Sequence, residues 1–234
     1  AMIEKMTKYS FILLSGKTEE FLRRLQELGL VDITRSSKPV DERSAALLSL
    51  SNDLKKAVSK LESLDFSQDP DIDRIKAEAV AEAKTGNPLA DFKEFSTRLD
   101  VLRNELAQAR KAVESVRPWG RFDKSALGAL RDKGFTVRWY NVSKKVYDPS
   151  WADLYPLQEV FDDGKNVWFV TVSDDPAYSL PVEECAAPPE DLRSAERDVE
   201  TLKERMISCK ATLLKLKEYI PEMRRQCDED VTRL

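Results

Sequence analysis

The chain has 234 residues, of which 34% are charged and 41% are hydrophobic, and its formal net charge is −4. It contains no histidine, which removes a common metal ligand and the usual general base near neutral pH. The slightly acidic balance disfavours nucleic-acid binding, because that binding needs clustered Lys and Arg. Only seven glycines are present, and this scarcity, together with the high charge, favours long solvated helices over a loop-rich β protein.

The first 38 residues predict a small β-α-β unit. Residues 3–14 alternate in polarity as a strand does, and residues 18–28 carry apolar side chains at helical spacing. Gly29 is expected to stop this helix, and residues 31–34 predict a second strand. Two strands alone bury too little surface to be stable, so we expect this unit to be a partial lobe.

Three later segments show a strong helical periodicity. In residues 47–64, 92–116 and 192–220, apolar side chains recur at alternating intervals of three and four, which is typical of coiled coils. The alternative is an ordinary amphipathic helix on a globular core. Pro221 is expected to kink or restart the last helix. The predicted coiled-coil core comprises Leu99, Leu102, Leu106, Val113, Val199, Leu202, Met206, Cys209 and Leu213, and antiparallel pairing places Leu99 level with Cys209.

Residues 118–187 differ in kind from these helices, and we call them the insert. All four tryptophans lie in the insert. Its pattern predicts a short helix capped by Asp123 and strands over residues 135–142, 157–161 and 167–172, the last two joined by an Asp162-Asp163-Gly164-Lys165 hairpin turn. Trp139 and Trp168 are expected in the core of the insert. Pro188-Pro189 is expected to start the returning helix.

No catalytic, cofactor-binding or metal-binding residue is predicted. Ser15-Gly16-Lys17-Thr18 lies where a phosphate-binding loop would end, but Phe11 occupies the position of its first glycine. The paired acids in the insert lie in turns or beside proline, where solvated charge is the default. Three dispersed cysteines match neither a metal site nor a disulfide framework.

These patterns predict an α+β protein in which a long antiparallel coiled coil carries a small α/β lobe at its tip. We divide it into a partial proximal α/β lobe (residues 1–38), the outgoing helices (39–117), the distal α/β lobe (118–187) and the returning helix (188–234).

This order resembles the cytoplasmic N-terminal domain of subunit I, also called subunit a, of rotary V-type ATPases and ATP synthases. Three segments carry the resemblance over nearly the whole chain, namely Met2-Ile3-Glu4-Lys5-Met6, Leu25-Gln26-Glu27-Leu28-Gly29-Leu30-Val31-Asp32-Ile33 and Pro118-Trp119-Gly120-Arg121-Phe122-Asp123. The resemblance implies a non-catalytic stator subunit with no cofactor, at the cytoplasmic face of the membrane, that links peripheral stalks to the ion-translocating sector.

The same resemblance implies the peripheral-stalk heterodimer and other V-type ATPase subunits as partners. In that family a C-terminal membrane half carries the ion path, and we expect any membrane contact to come only through such a half, which is absent here. Trp151 and Tyr155 are the candidate docking residues, because they lie in an irregular stretch beside Pro149 and Pro156. The alternatives are a generic coiled-coil tether or scaffold with an unrelated partner, and an enzyme that uses the α/β lobe.

Overall fold

A computed structural model describes residues 18–29, 42–81, 85–175 and 177–232. These residues form helices and one small antiparallel sheet, in agreement with the α+β class. The helices are α1 (Thr18–Leu28), α2 (Glu42–Ser63), α3 (Ile72–Ala81), α4 (Pro88–Val116), α5 (Lys124–Asp132), α6 (Trp151–Leu154), α7 (Leu192–Leu216) and α8 (Ile220–Thr232), with 3-10 turns at Arg117–Trp119 and Lys217–Tyr219. The strands are β1 (Thr136–Ser143), β2 (Leu157–Asp162) and β3 (Asn166–Ser173).

The predicted helix over residues 18–28 is confirmed by α1, and Gly29 follows it at φ +64°, the left-handed conformation that ends helices. The two strands predicted at residues 3–14 and 31–34 lie outside the described residues.

Helix α4 pairs with α7, and the two run in opposite directions. At one end the amide of Leu192 donates to the carbonyl of Gly120 at 3.0 Å. Further along the pair, the Cys209 thiol donates to the carbonyl of Phe95 at 3.2 Å. Residue numbers therefore rise along one helix as they fall along the other. At 29 residues, α4 is about 43 Å long.

Helices α2, α3 and α8 pack on this pair at the end away from the insert. Helix α8 runs antiparallel to α2, with Cys227 against Ser51 and Arg224 against Glu62. Helix α3 runs parallel to α7, since Arg74 bonds to Glu204 and, one turn further on both helices, Glu78 bonds to Ser208. One continuous apolar cluster runs through α2, α4, α7 and α8.

A partly buried ion pair fixes the turn before α3 to α7. The Lys210 ammonium lies 2.5 Å from the Asp69 carboxylate, and the two side chains are 13% and 15% exposed. Burial by itself raises the pKa of Asp69, but hydrogen bonds from Lys210 and from the amide of Asp71 outweigh it and leave the pKa below its usual range. The carboxylate is therefore ionised at neutral pH and compensates the charge of Lys210.

The periodic segments are helical as predicted, with one interruption. The α-helical pattern of α7 ends at Leu216 and a 3-10 turn precedes α8, in which Pro221 is the second residue. Proline lacks an N–H and clashes with the carbonyl four residues earlier, which accounts for the interruption. The predicted restart at Pro221 is therefore confirmed by the break before α8. The prediction that Pro188-Pro189 starts α7 is wrong, because the helix begins at Leu192 with the Asp191 carboxylate as its cap.

The nine predicted coiled-coil core residues all belong to the apolar cluster or border it. Eight are at most 9% exposed, while Leu202 is half-buried. The winding of α4 and α7 as a coiled coil stays a prediction.

The register of the α4–α7 pair can be tested by cross-linking. Cys209 bonds to the Phe95 carbonyl, one turn from Leu99, and both Cys209 and Leu99 lie in the same apolar cluster. We expect a Leu99→Cys variant to form a disulfide with Cys209 under mild oxidation, since their β-carbons need to approach to about 4 Å. Non-reducing electrophoresis of proteolytic fragments identifies the bond. Faster cross-linking from a cysteine at position 92 or 106 would contradict this register.

The insert contains a three-stranded sheet in the order β1-β3-β2, with both pairings antiparallel. Asp123 caps α5, and the β2–β3 hairpin turns at Gly164, which has φ +87°; both features confirm the sequence prediction. Tyr140 lies opposite Phe169 across β1 and β3, and their rings stack with centroids 5.0 Å apart. This pair is the centre of the core of the insert.

Candidate functional site

Short helix α6 covers one face of the sheet and holds the two predicted docking residues. The Asp148 carboxylate accepts hydrogen bonds from the hydroxyl and the amide of Ser150, and these bonds lower the pKa of Asp148. The resulting turn leads directly into α6. Tyr155 closes the helix by donating its amide to the carbonyl of Trp151 at 2.9 Å.

The structure brings Trp151 and Tyr155 to the rim of the same core cluster. The Trp151 ring lies 5.8 Å from that of Tyr147, edge to face, and 6.2 Å from that of Phe169. The Tyr155 ring lies 5.5 Å from the Tyr178 ring, measured between their centroids. Both predicted residues are half-buried, so each has one side supported by the fold and part of its surface open to a partner.

Leu154 lies between them and is 70% exposed. The sequence analysis missed this residue, because a single leucine in a stretch of four helical residues produces no periodicity. Tryptophan and tyrosine are the residue types enriched at interface hot spots, and the exposed Leu154 extends the apolar surface beside these two supported rings. We call Tyr147, Trp151, Leu154 and Tyr155 the α6 surface.

The electrostatics of this surface come from nearby carboxylates. Burial raises the pKa of Tyr147, and the carboxylate of Glu159 raises it further, so the phenol is neutral at physiological pH. Asp148 in the turn before α6 and Asp153 within α6 are both exposed. The surface therefore combines an apolar centre with an acidic rim.

Trp168 differs from the prediction that placed it in the core. It is half-buried and lies on the other face of the sheet from Phe169, paired with Phe161 at a ring distance of 5.5 Å. Adjacent strand residues point to opposite faces. The sheet is covered less completely around Trp168 than on the face that carries Phe169. The prediction for Trp139 is confirmed, since it is 9% exposed and packs edge to face on Trp119 at 5.0 Å.

The Asp162-Asp163 pair in the hairpin turn of the insert is held by structural partners. The Lys144 ammonium and the amide of Gly164 lower the pKa of Asp162. The backbone amides of Asn166 and Lys165 lower that of Asp163. A general acid at neutral pH needs a raised pKa, so these two carboxyls have the opposite of the required shift.

Glu184, which belongs to another acidic pair of the insert, forms an ion pair with Arg138 at 2.5 Å. Together with the bond from the amide of Cys185 to the carbonyl of Trp139, at 2.8 Å, this pair attaches residues 184–185 to the free edge of β1. The ion pair of Glu184 with Arg138 therefore holds residues 184–185 against the sheet.

The described residues show neither a metal-binding cluster nor a helix that could span a membrane. No group of three or more Cys, Asp or Glu side chains in this part of the chain is placed to hold a metal ion. None of its helices combines the length and apolarity that a bilayer crossing requires.

Comparison of the chain with protein-family models, with curated proteins and with solved structures found no match.

Proposed function

We propose that the chain is the cytoplasmic, non-catalytic part of a stator subunit of a rotary V-type ATPase or ATP synthase, where it links peripheral stalks to the membrane ion-translocating sector. The observation that carries the proposal is the α4–α7 pair, about 43 Å long, with α2, α3 and α8 packed at one end and the aromatic sheet of the insert at the other. A stator subunit that resists the torque of the rotor needs two attachment points held apart by a stiff element, and the helix pair provides such an element.

The sequence order supports the same proposal. The Pro118-Trp119-Gly120 segment of the resemblance lies at the point where α4 ends and the insert begins. Trp119 is 8% exposed and packs on Trp139, and Gly120 has φ +64°, a conformation that favours glycine. These residues thus join the insert firmly to the helix pair, which suits the transmission of force.

The α6 surface is the proposed contact with the peripheral-stalk heterodimer. We expect the chain to bind that heterodimer, and the Leu154→Ala variant to bind it more weakly with unchanged stability, because Leu154 is 70% exposed. Trp151→Ala and Tyr155→Ala are each expected to lose at least about 2 kcal/mol of binding free energy. Titration calorimetry measures the affinities.

The matched control is Trp168→Ala, which truncates a half-buried tryptophan on the other face of the sheet. This variant is expected to retain the affinity of the unchanged chain. Absence of binding by the unchanged chain, or an equal loss in the control variant, would contradict the proposed docking surface. Tight binding to a protein other than the stalk would instead favour the generic tether.

A further inference from the structure

A groove of about 580 Å³ lies between α5 and β1. Its apolar lining includes Phe122, Leu127, Val137 and Trp139. Trp139 precedes Tyr140 on β1, and adjacent strand residues point to opposite faces, so the groove and the α6 surface lie on different faces of the sheet.

Gly128 lies in the interior of α5 and lines this groove. Glycine destabilises a helix interior relative to alanine, so it needs a reason there. A Cβ built on Gly128 would meet no heavy atom within 4 Å, which means that the packing of the chain itself does not require glycine. The missing side chain leaves the backbone of α5 open to close approach from outside.

The charged residues that line the groove are both basic, although the chain as a whole has a net charge of −4. Lys124 donates to the carbonyl of Pro189 and is held at the groove by this bond. Arg131 forms no ion pair within the part of the chain that the structure describes. The groove therefore presents an apolar floor with a positive rim, which is complementary to an apolar segment with negative flanks.

We propose that this groove binds an amphipathic α-helix of a partner protein, whose apolar stripe packs against Trp139 and Gly128 and whose flanks carry Asp and Glu. A helix fits better than an extended strand, because the edge of β1 at Trp139 is already paired with Cys185. A small residue at the contact also lets two helix backbones approach closely, since the distance between packed helices depends on the side chains between them. This inference does not depend on the proposed stator function.

A synthetic helix of about five turns, with a Leu and Ala stripe flanked by Glu, provides the probe. Fluorescence anisotropy of the labelled peptide measures its binding to the whole chain. We expect it to bind, and the same stripe flanked by Lys to bind at least about tenfold more weakly. Arg131→Glu should reduce this preference.

Gly128→Leu should fill the groove and weaken binding of the Glu peptide at least about tenfold. Because its Cβ meets open space and leucine favours helices, this variant is expected to fold, which circular dichroism checks. The matched control is Ala129→Leu, at an exposed position of the same helix outside the groove lining, and it should retain binding.

Equal binding of the two peptides, or full affinity in Gly128→Leu, would overturn the proposal. Self-association of the unchanged chain that Gly128→Leu abolishes would also overturn it, since a second copy would then be the occupant.

Discussion

Replacing Leu99 with Ala is expected to lower the free energy of unfolding by about 3 kcal/mol. Leu99 is 3% exposed and lies in the apolar cluster that joins α4 to α7. Truncation removes buried methyl groups and leaves a cavity that a long, regular helix pair closes only partly. Denaturant unfolding followed by far-ultraviolet circular dichroism measures the change, because the helices dominate that signal.

The same helix offers a matched control. Val101 lies two residues from Leu99 but is 48% exposed, so Val101→Ala is expected to change stability by no more than about 0.5 kcal/mol. Equal destabilisation by the two substitutions would show that the buried face of α4 is assigned wrongly.

Replacing Phe169 with Ala is expected to cost about 4 kcal/mol of stability in the insert. Phe169 is fully buried at the centre of the sheet, with its ring 5.0 Å from that of Tyr140 and 6.2 Å from that of Trp151. Since all four tryptophans lie in the insert, the unfolding of this part can be followed by intrinsic fluorescence.

Phe161→Ala is the control for this experiment, because Phe161 lies on the neighbouring strand β2 and is 44% exposed. We expect its fluorescence transition to stay close to that of the unchanged chain. The loss of Phe169 should also weaken binding through the α6 surface, since Trp151 rests on this ring. An unfolding midpoint that is the same in Phe169→Ala and in the unchanged chain would contradict the assigned core of the insert.

Apart from the antiparallel pairing of α4 with α7, the features that the sequence predicted correctly depend on local rules. Apolar spacing identifies the buried stripe of α4 because the period of a helix requires no knowledge of its partner. Gly29, Asp123 and Gly164 mark a helix end, a helix cap and a hairpin, and in each case the reason is the conformation or hydrogen bonding of a few consecutive residues.

The features that the sequence did not predict depend on contacts between distant segments. The pairing of α2 with α8, and of α3 with α7, joins residues that are more than a hundred positions apart, such as Ser51 with Cys227 and Arg74 with Glu204. The burial of Trp168 depends on what covers its face of the sheet, which strand periodicity does not encode.

The candidate site was predicted only in part. Proline and aromatic composition indicated Trp151 and Tyr155, and the structure places both at the rim of one core cluster. Leu154 and the groove at Gly128 were not predicted. The exposure of the Leu154 side chain and the empty space beside Gly128 are properties of the folded surface, which the sequence pattern does not encode. Their recognition needed the packing around α5 and α6.

Capture of partners from native membranes tests the proposed role of the chain in a rotary ATPase stator. The tagged chain is incubated with detergent-solubilised membranes, and the proteins that co-purify are identified by mass spectrometry. We predict that both subunits of the peripheral-stalk heterodimer co-purify, and that they are depleted when Leu154 is replaced with Ala. A set of partners that lacks the stalk subunits would contradict the stator assignment.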